Sequence, residues 1–391
     1  MNPIEQLKSL TDQMDLELDG IPSLLARDDR VREKPDCFTQ KQRDNIFVHP
    51  AQLPNGQKIK LLKTLLTSVC ECDCFYCPFR AGRDFRRATF KPEEFARTFM
   101  MLYQSKAAEG LFLSSGVAGG GIHTQDKLLD TADILRNKFK FRGYIHLKIM
   151  PGAEKAQVER AMQLADRVSI NLEAPNTERL ARLAPHKQFI EELLRPLRWV
   201  EEIRQSQPAY KGWNGHWPST VTQFVAGGAD ETDVELLTTT QWLHKNVHLK
   251  RAYFSAFNPI SGTPLENKAA TDPMREHRLY QASFLLRDYG FDLEELPFAQ
   301  NGLLPLASDP KLAWARVHLA STPLEVNRAE KSQLIRIPGI GPKGAEAILL
   351  ARRTGKLRDL SALKKLGIHP ECAAPYLLLD GHRAAQQLAL F

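Results

Sequence analysis

Lys58-Ile59-Lys60-Leu61-Leu62-Lys63-Thr64-Leu65-Leu66-Thr67 runs, after two residues, into Cys70-Glu71-Cys72-Asp73-Cys74-Phe75-Tyr76-Cys77. The first segment is apolar and short enough for a buried strand, and the second places four cysteines in one tight loop at its end. The same rhythm then recurs along the chain. Strands are expected at 58–67, 111–114, 144–149, 168–172, 220–225 and 252–257, and amphipathic helical windows at 92–103, 125–138, 153–165, 187–205, 231–245 and 273–287. Six β-α units imply a parallel sheet with crossover helices. Periodicity alone leaves a partial barrel and an open doubly wound sheet both standing. In either, ligands belong at the C-terminal ends of the strands, where the cysteine loop falls.

The chain has 391 residues, 43% apolar and 25% charged, which suits two or three globular domains and excludes disordered, collagenous and coiled-coil classes. No run of eighteen apolar residues occurs, and Met1-Asn2-Pro3-Ile4-Glu5-Gln6 has no cationic and apolar leader pattern. A cytoplasmic protein with no membrane association is the expectation. Four of six cysteines within eight positions are no framework for stapling so long a chain by disulfides, so they read as metal ligands. Cys70-x3-Cys74-x2-Cys77 offers three thiolates, which suits a [4Fe-4S] cluster whose fourth iron keeps an open corner. The alternative, a structural zinc, wants four closed ligands, usually in two separated pairs.

The charge is unevenly placed. From Lys311 to Phe391 there are thirteen Lys and Arg against six Asp and Glu, so the whole net charge of +7 lies there and the preceding residues are neutral. Such a module fits a polyanion partner, with a solvated basic face as the alternative. Within it, Asn327-Arg328-Ala329-Glu330 predicts a capping box with Asn327 as the cap. Ile337-Pro338-Gly339-Ile340-Gly341-Pro342-Lys343 then reads as a tight hairpin between two helices. Glycines there allow backbone N–H groups close to a phosphate, the next helix N-terminus adds partial positive charge, and Lys343 adds a full one. The expected division is an N-terminal extension at 1–54, turn-rich near His49 to Gly56, a β-α domain at 55–300 and an all-α module at 301–391.

Cys70, Cys74, Cys77 and the aromatic Tyr76, following the first strand of a six-fold β-α repeat, resemble the radical S-adenosylmethionine superfamily over about residues 57–290. The resemblance implies a partial (βα)6 TIM-like barrel, a [4Fe-4S] cluster and S-adenosylmethionine as cofactors, and an electron donor such as flavodoxin or ferredoxin. It implies that the methionine group chelates the open iron and that one electron cleaves the sulfonium to a 5′-deoxyadenosyl radical, which takes hydrogen from substrate. Carried over residue by residue, it assigns cofactor contacts to Tyr76, to Ser114, Ser115 and Gly116 where many members have Gly-Gly-Glu, to Lys148, Asn171 and Glu173, to Gln223 in the fifth-strand segment, and to Phe257 at the sixth. Cys72 is extra to the pattern and is expected as a small buried hydrophobe. Cys37 and Cys372 are open to a role in covalent methyl transfer. Arg80, Arg83, Arg86 and Arg87 are candidates for gripping substrate phosphates, or for pairing with Asp84 and other acids on a solvated loop.

Residues 326–368 closely resemble helix-hairpin-helix DNA-binding domains, which implies nucleic-acid contacts from Gly339, Ile340, Gly341, Lys343, Arg352 and Arg353. The second hairpin departs from the pattern at His369-Pro370 and is expected to pack. Together the two halves resemble a family of radical S-adenosylmethionine proteins assigned to DNA modification or repair. Three readings follow: a radical enzyme acting on nucleic acid, with DNA favoured, the same chemistry on a protein or small molecule, and a non-catalytic nucleic-acid-binding protein with a structural metal.

Overall fold

The computed structural model describes residues 3–14, 48–52 and 58–383. These fall into two compact units, one formed by Met1–Glu231 with Trp242–Glu276, the other by Thr232–Gln241 with His277–Phe391. Cys37 lies outside the described residues.

The first unit is built on a seven-stranded sheet in the order β1-β2-β3-β4-β5-β6-β7: Val48–Gln52, Lys58–Leu65, Gly110–Ser114, Tyr144–Lys148, Arg167–Ser169, Ser219–Ala226 and Arg251–Ala256. Strands β2 to β7 are mutually parallel, and β1 runs antiparallel on β2. Spatial order equals chain order, so every crossover steps the same way. A doubly wound sheet reverses direction partway and is thereby excluded. Right-handed crossovers that never reverse keep the helices on one face, and the sheet curls into a partial barrel. Its helices are α1 (Pro3–Met14), α2 (Pro92–Gln104), α3 (Gly121–Asp133, continued by a wider turn Ile134–Lys138), α4 (Lys155–Leu164), α5 (Thr177–Leu183) and α6 (Arg195–Ser206), while the residues of α7 (Asp233–Asn246) and α8 (Pro273–Asp288) divide between the two units. The stretch beginning at His49, expected as turn, instead contributes to edge strand β1, because His49 to Gln52 pair in register with Leu61 to Lys58.

Alternation along the strands separates two chemistries. One face carries Leu62, Thr64, Leu111, Leu113, Ile145, Leu147, Val168, Phe224 and Phe254, all buried. The opposite face, in register, carries the row Lys63, Phe112, His146, Arg167 and Ser219 and, one step along, Ser114, Lys148, Ser169, Val221 and Arg251. Helices cover the apolar face, and the polar one is left for the barrel interior.

Strand β5 stops at Ser169, short of the expected 172. The Thr222 hydroxyl donates to the carbonyl of Ile170 at 2.7 Å and accepts from the N–H of Leu172 at 3.2 Å, displacing the backbone ladder there. Pairing resumes when Glu173 N–H donates to Gln223 O at 2.9 Å. Glu173 itself has φ 64°, a left-handed value that is costly for a residue with a Cβ.

The second unit holds α9 (Pro310–His318), α10 (Lys331–Leu334), α11 (Pro342–Ala351), α12 (Leu360–Lys365) and α13 (Pro370–Ala373). It is not purely helical: Leu324–Glu325, Leu377–Leu379 and His382–Arg383 form a small sheet, β8 to β10. The capping box also sits three residues later than the spacing predicts. Glu330 is the cap and Gln333 its partner, because Asn327 is occupied elsewhere: its amide donates to Leu357 O at 2.9 Å and accepts from Leu357 N–H at 2.8 Å.

One buried cation ties the barrel floor together. Arg136 is 2% exposed and donates to Leu164 O, Phe141 O, Gly143 O and the Asp166 carboxylate at 2.7–3.0 Å, with its guanidinium 3.7 Å from the Trp213 ring centre. Arg136→Ala leaves three carbonyls without their donor and the half-buried Asp166 carboxylate with the Ile145 N–H in place of its ion pair, a loss of about 3–5 kcal/mol. A large fall in thermal midpoint by circular dichroism is expected, while exposed Arg142→Ala stays within about 0.5 kcal/mol of the parent protein.

Candidate active site

The cysteine loop is an excursion from the end of β2, closed at its neck. Ser68 N–H donates to Ala88 O at 3.0 Å, Ala88 N–H donates to the Ser68 hydroxyl at 3.0 Å, and Phe90 N–H donates to Leu66 O at 2.9 Å. Arg87 fills the excursion from within. Its guanidinium donates to four loop carbonyls, Ser68 at 2.7 Å, Phe79 at 3.1 Å, Arg80 at 2.9 Å and Arg83 at 3.3 Å, and lies 4.3 Å from the Phe85 ring centre. Arg83 donates to Pro78 O and Ser261 O, and Arg80 to Asp73 O. These three arginines thus hold backbone rather than stand ready for phosphate, because a loop without secondary structure has carbonyls to satisfy.

Glu71 locks the loop to the chain after β3. Its carboxylate accepts from Gly119 N–H at 3.1 Å and Gly120 N–H at 2.8 Å, and its own N–H donates to Val117 O at 2.8 Å. Gly116 explains the close fit: a Cβ there would lie 2.3 Å from Val69 O. Gly116 therefore acts by letting two backbones touch. A third contact comes from the loop after α5, where Phe75 N–H donates to Leu183 O at 2.7 Å and Asp73 meets His186 at 2.6 Å.

Cys70, Cys72, Cys74, Tyr76 and Cys77 consequently line one cleft of about 620 Å³, together with Ser114, Ser115, Gly116, Lys148, Asn171, Glu173 and Lys187. All of these except Lys187, which follows α5, belong to a strand end or to the loop that follows it. Lys148 donates to Asn171 Oδ1 at 2.7 Å, and Lys187 lies 3.6 Å from Glu173 Oε1. Gln223 and Phe257 are not among the lining residues. Gln223 is 8% exposed, and Phe257 is buried, its carbonyl accepting from Thr271 N–H at 2.8 Å. Cys72, expected as buried filler, is partly exposed in the cleft beside Cys70. Cys372 is exposed on the second unit.

Lys187 was not indicated by any motif. It follows a short helix far along the chain, and only the docking of that loop brings its ammonium to the cysteines. Burial opposes its charge, but Cys74, Glu173, Cys72 and Cys77 outweigh burial and hold it protonated well above the usual lysine range. The cysteines are unequal. A hydrogen bond from Cys72 overcomes burial to lower Cys70 to about 6, and the same bond raises Cys72, whereas burial raises Cys74.

Among the described residues no three His, Cys, Asp or Glu side chains gather around a point for a single ion. Three soft thiols spread around an open cleft fit an iron–sulfur cluster, with Cys70, Cys74 and Cys77 to hold it.

In the second unit, Ile340 N–H donates to Ile337 O at 3.1 Å, closing a turn with Pro338 second and Gly339, at φ 81°, third. That is the arrangement a type II turn requires. Gly341 caps α11 and Pro342 opens it. Lys311 donates to Ile340 O at 2.6 Å and packs 4.7 Å from the Tyr289 ring centre, and burial lowers it to about 7. Lys343 and Arg353 are exposed, while Arg352 donates to Val326 O and Ala329 O. The second hairpin packs on the first: a Cβ at Gly339 would lie 2.9 Å from His369 O.

No protein-family model and no curated protein matches this chain. Among solved structures it is similar to methylornithine synthase, at 14% identity over 58% of this chain and 62% of that one, TM-score 0.46. It is similar to the FeFe-hydrogenase maturase HydG from Carboxydothermus hydrogenoformans, at 14% identity over 58% of this chain and 51% of that one, TM-score 0.45. A radical SAM methyltransferase from Sphaerobacter thermophilus matches at 13% identity over 69% of this chain and 85% of that one, TM-score 0.42. The match thus spans about three fifths of the synthase and half of the maturase. Likeness at this level carries no activity across, and the chemistry has to come from the residues.

In cluster-free protein at neutral pH, iodoacetamide is expected to label Cys70 ahead of Cys72 and buried Cys74, since a thiol at about 6 is mostly thiolate there. Peptide mass spectrometry reads the order, and the preference for Cys70 should fade below pH 5.

Proposed function

We propose that this chain is a radical S-adenosylmethionine enzyme that acts on a nucleic acid, with DNA as the favoured substrate. The observation that carries the enzyme reading is the convergence of Cys70, Cys74 and Cys77 with Tyr76, Lys148, Asn171 and Glu173 on one cleft at the C-terminal ends of the strands. When bound there, a [4Fe-4S] cluster and S-adenosylmethionine supply one-electron cleavage of a sulfonium and a carbon radical able to abstract hydrogen.

The residues supply position and charge. Lys148, fixed by Asn171, presents an ammonium to a carboxylate, and the Ser114 and Ser115 hydroxyls line the neighbouring wall. Glu71 and Arg87 make the loop rigid, so that three sulfurs keep their spacing. The buried walls at Phe79, Val117, Met150 and Leu193 limit water around the reacting atoms.

Two features support a nucleic-acid substrate. The hairpin of Gly339, Ile340 and Gly341 leads into a helix N-terminus with exposed Lys343, a construction suited to backbone phosphate. The barrel interior carries Lys63, Lys148, Arg167 and Arg251 with no carboxylate among the β2 to β7 residues of that face. A base taken up there has to be unpaired or flipped from a duplex. Cytoplasmic placement and an electron donor such as flavodoxin or ferredoxin complete the proposal. Among the described residues no helix is long and apolar enough to cross a membrane.

Anaerobically reconstituted protein with dithionite should convert S-adenosylmethionine to 5′-deoxyadenosine, and Cys74→Ala should abolish this while leaving DNA affinity within about twofold. A protein that binds DNA but yields no 5′-deoxyadenosine would be the non-catalytic binder instead. DNA affinity should fall with salt by about 0.9 log units per log unit of salt for each phosphate neutralised, and Lys343→Ala should reduce that slope by about one phosphate. Absence of DNA or RNA binding at low salt would leave the substrate as a protein or small molecule.

A further inference from the structure

Lys187 stands in an unusual place for a lysine. Its side chain is 12% exposed, lies 3.6 Å from the Glu173 carboxylate, and lines the same cleft as Cys70, Cys72, Cys74 and Cys77. The loop that carries it is pinned to the cysteine loop by Phe75 to Leu183 and by Asp73 to His186. A buried ammonium costs desolvation, and four cysteines and the Glu173 carboxylate share the cleft with it.

The potential of an iron–sulfur cluster follows its net charge, the hydrogen bonds to its sulfurs and its exposure to solvent. Reduction adds one electron to a group already ringed by thiolates. A fixed positive charge beside those sulfurs stabilises the reduced form more than the oxidised form, and a fixed negative charge does the reverse. We propose that Lys187 is a positioning residue that raises the reduction potential of the cluster held by Cys70, Cys74 and Cys77, with Glu173 opposing it. This rests on the iron–sulfur reading above and adds to it the means by which the site is made reducible.

The test is a redox titration of the anaerobically reconstituted full-length protein with dithionite as electron source, followed by electron paramagnetic resonance. Iron and sulfide are counted in every sample. At the potential where the parent protein is half reduced, Lys187→Met should show a reduced-to-oxidised ratio about tenfold lower, equivalent to about 59 mV for one electron. Glu173→Gln should move the midpoint the other way, Lys187→Arg should keep it near the parent value, and the double variant Lys187→Met with Glu173→Gln should fall between the two singles. Full iron content with an unmoved midpoint in Lys187→Met overturns the proposal. Loss of iron from both Lys187→Met and Lys187→Gln, with Lys187→Arg unaffected, also overturns it by making Lys187 an assembly residue. A parent protein that takes up no iron contradicts the underlying reading instead.

Discussion

A single guanidinium satisfying four carbonyls makes the rest of the site possible. The cysteine loop has no helix or strand to absorb its polar backbone, and an unsatisfied buried carbonyl costs roughly 1–3 kcal/mol. Arg87 takes up the carbonyls of Ser68, Phe79, Arg80 and Arg83, so the loop has one shape in which three sulfurs face a common cleft. Glu71 then fastens that shape to the chain after β3, and Gly116 permits the contact because it lacks a Cβ. The energy that orders the loop comes from hydrogen bonds outside the cleft, which leaves the cleft side chains to chemistry.

The sheet separates stability from function in a comparable way. Strands whose alternate residues are Leu, Ile, Val and Phe bury one face beneath helices and so hold the unit together. The other set of residues is released from packing, and it is there that Lys63, His146, Lys148 and Arg167 occur. Burial, followed by the charges of Arg167, Lys148 and Lys63, lowers His146 well below its ordinary value.

The strands and their order of chemistry were legible because apolar runs at strand length and cysteines at a strand end are local signals. Six strands and the associated helical windows fall where the sequence places them, within a few residues. What escaped was non-local. The end of β5 is decided by the hydroxyl of Thr222, some fifty residues on, and Lys187 reaches the cysteines only through tertiary docking. Asn327 looked like a cap by spacing, yet Leu357 claims its side chain, so the cap moves to Glu330. The arginines after the cysteines advertised charge, but three are used as internal hydrogen-bond donors, a role that composition cannot distinguish from anion binding.

In the proposed function, Cys70, Cys74 and Cys77 hold a cluster and leave one iron for a small-molecule ligand. Electron–nuclear double resonance on the reduced protein, with S-adenosylmethionine labelled with 15N at its amine, measures that directly. A 15N coupling to the cluster is expected, replaced by a 14N coupling on exchange with unlabelled ligand. A cluster that shows no such coupling because a fourth side chain, Cys72 included, completes its coordination would contradict it.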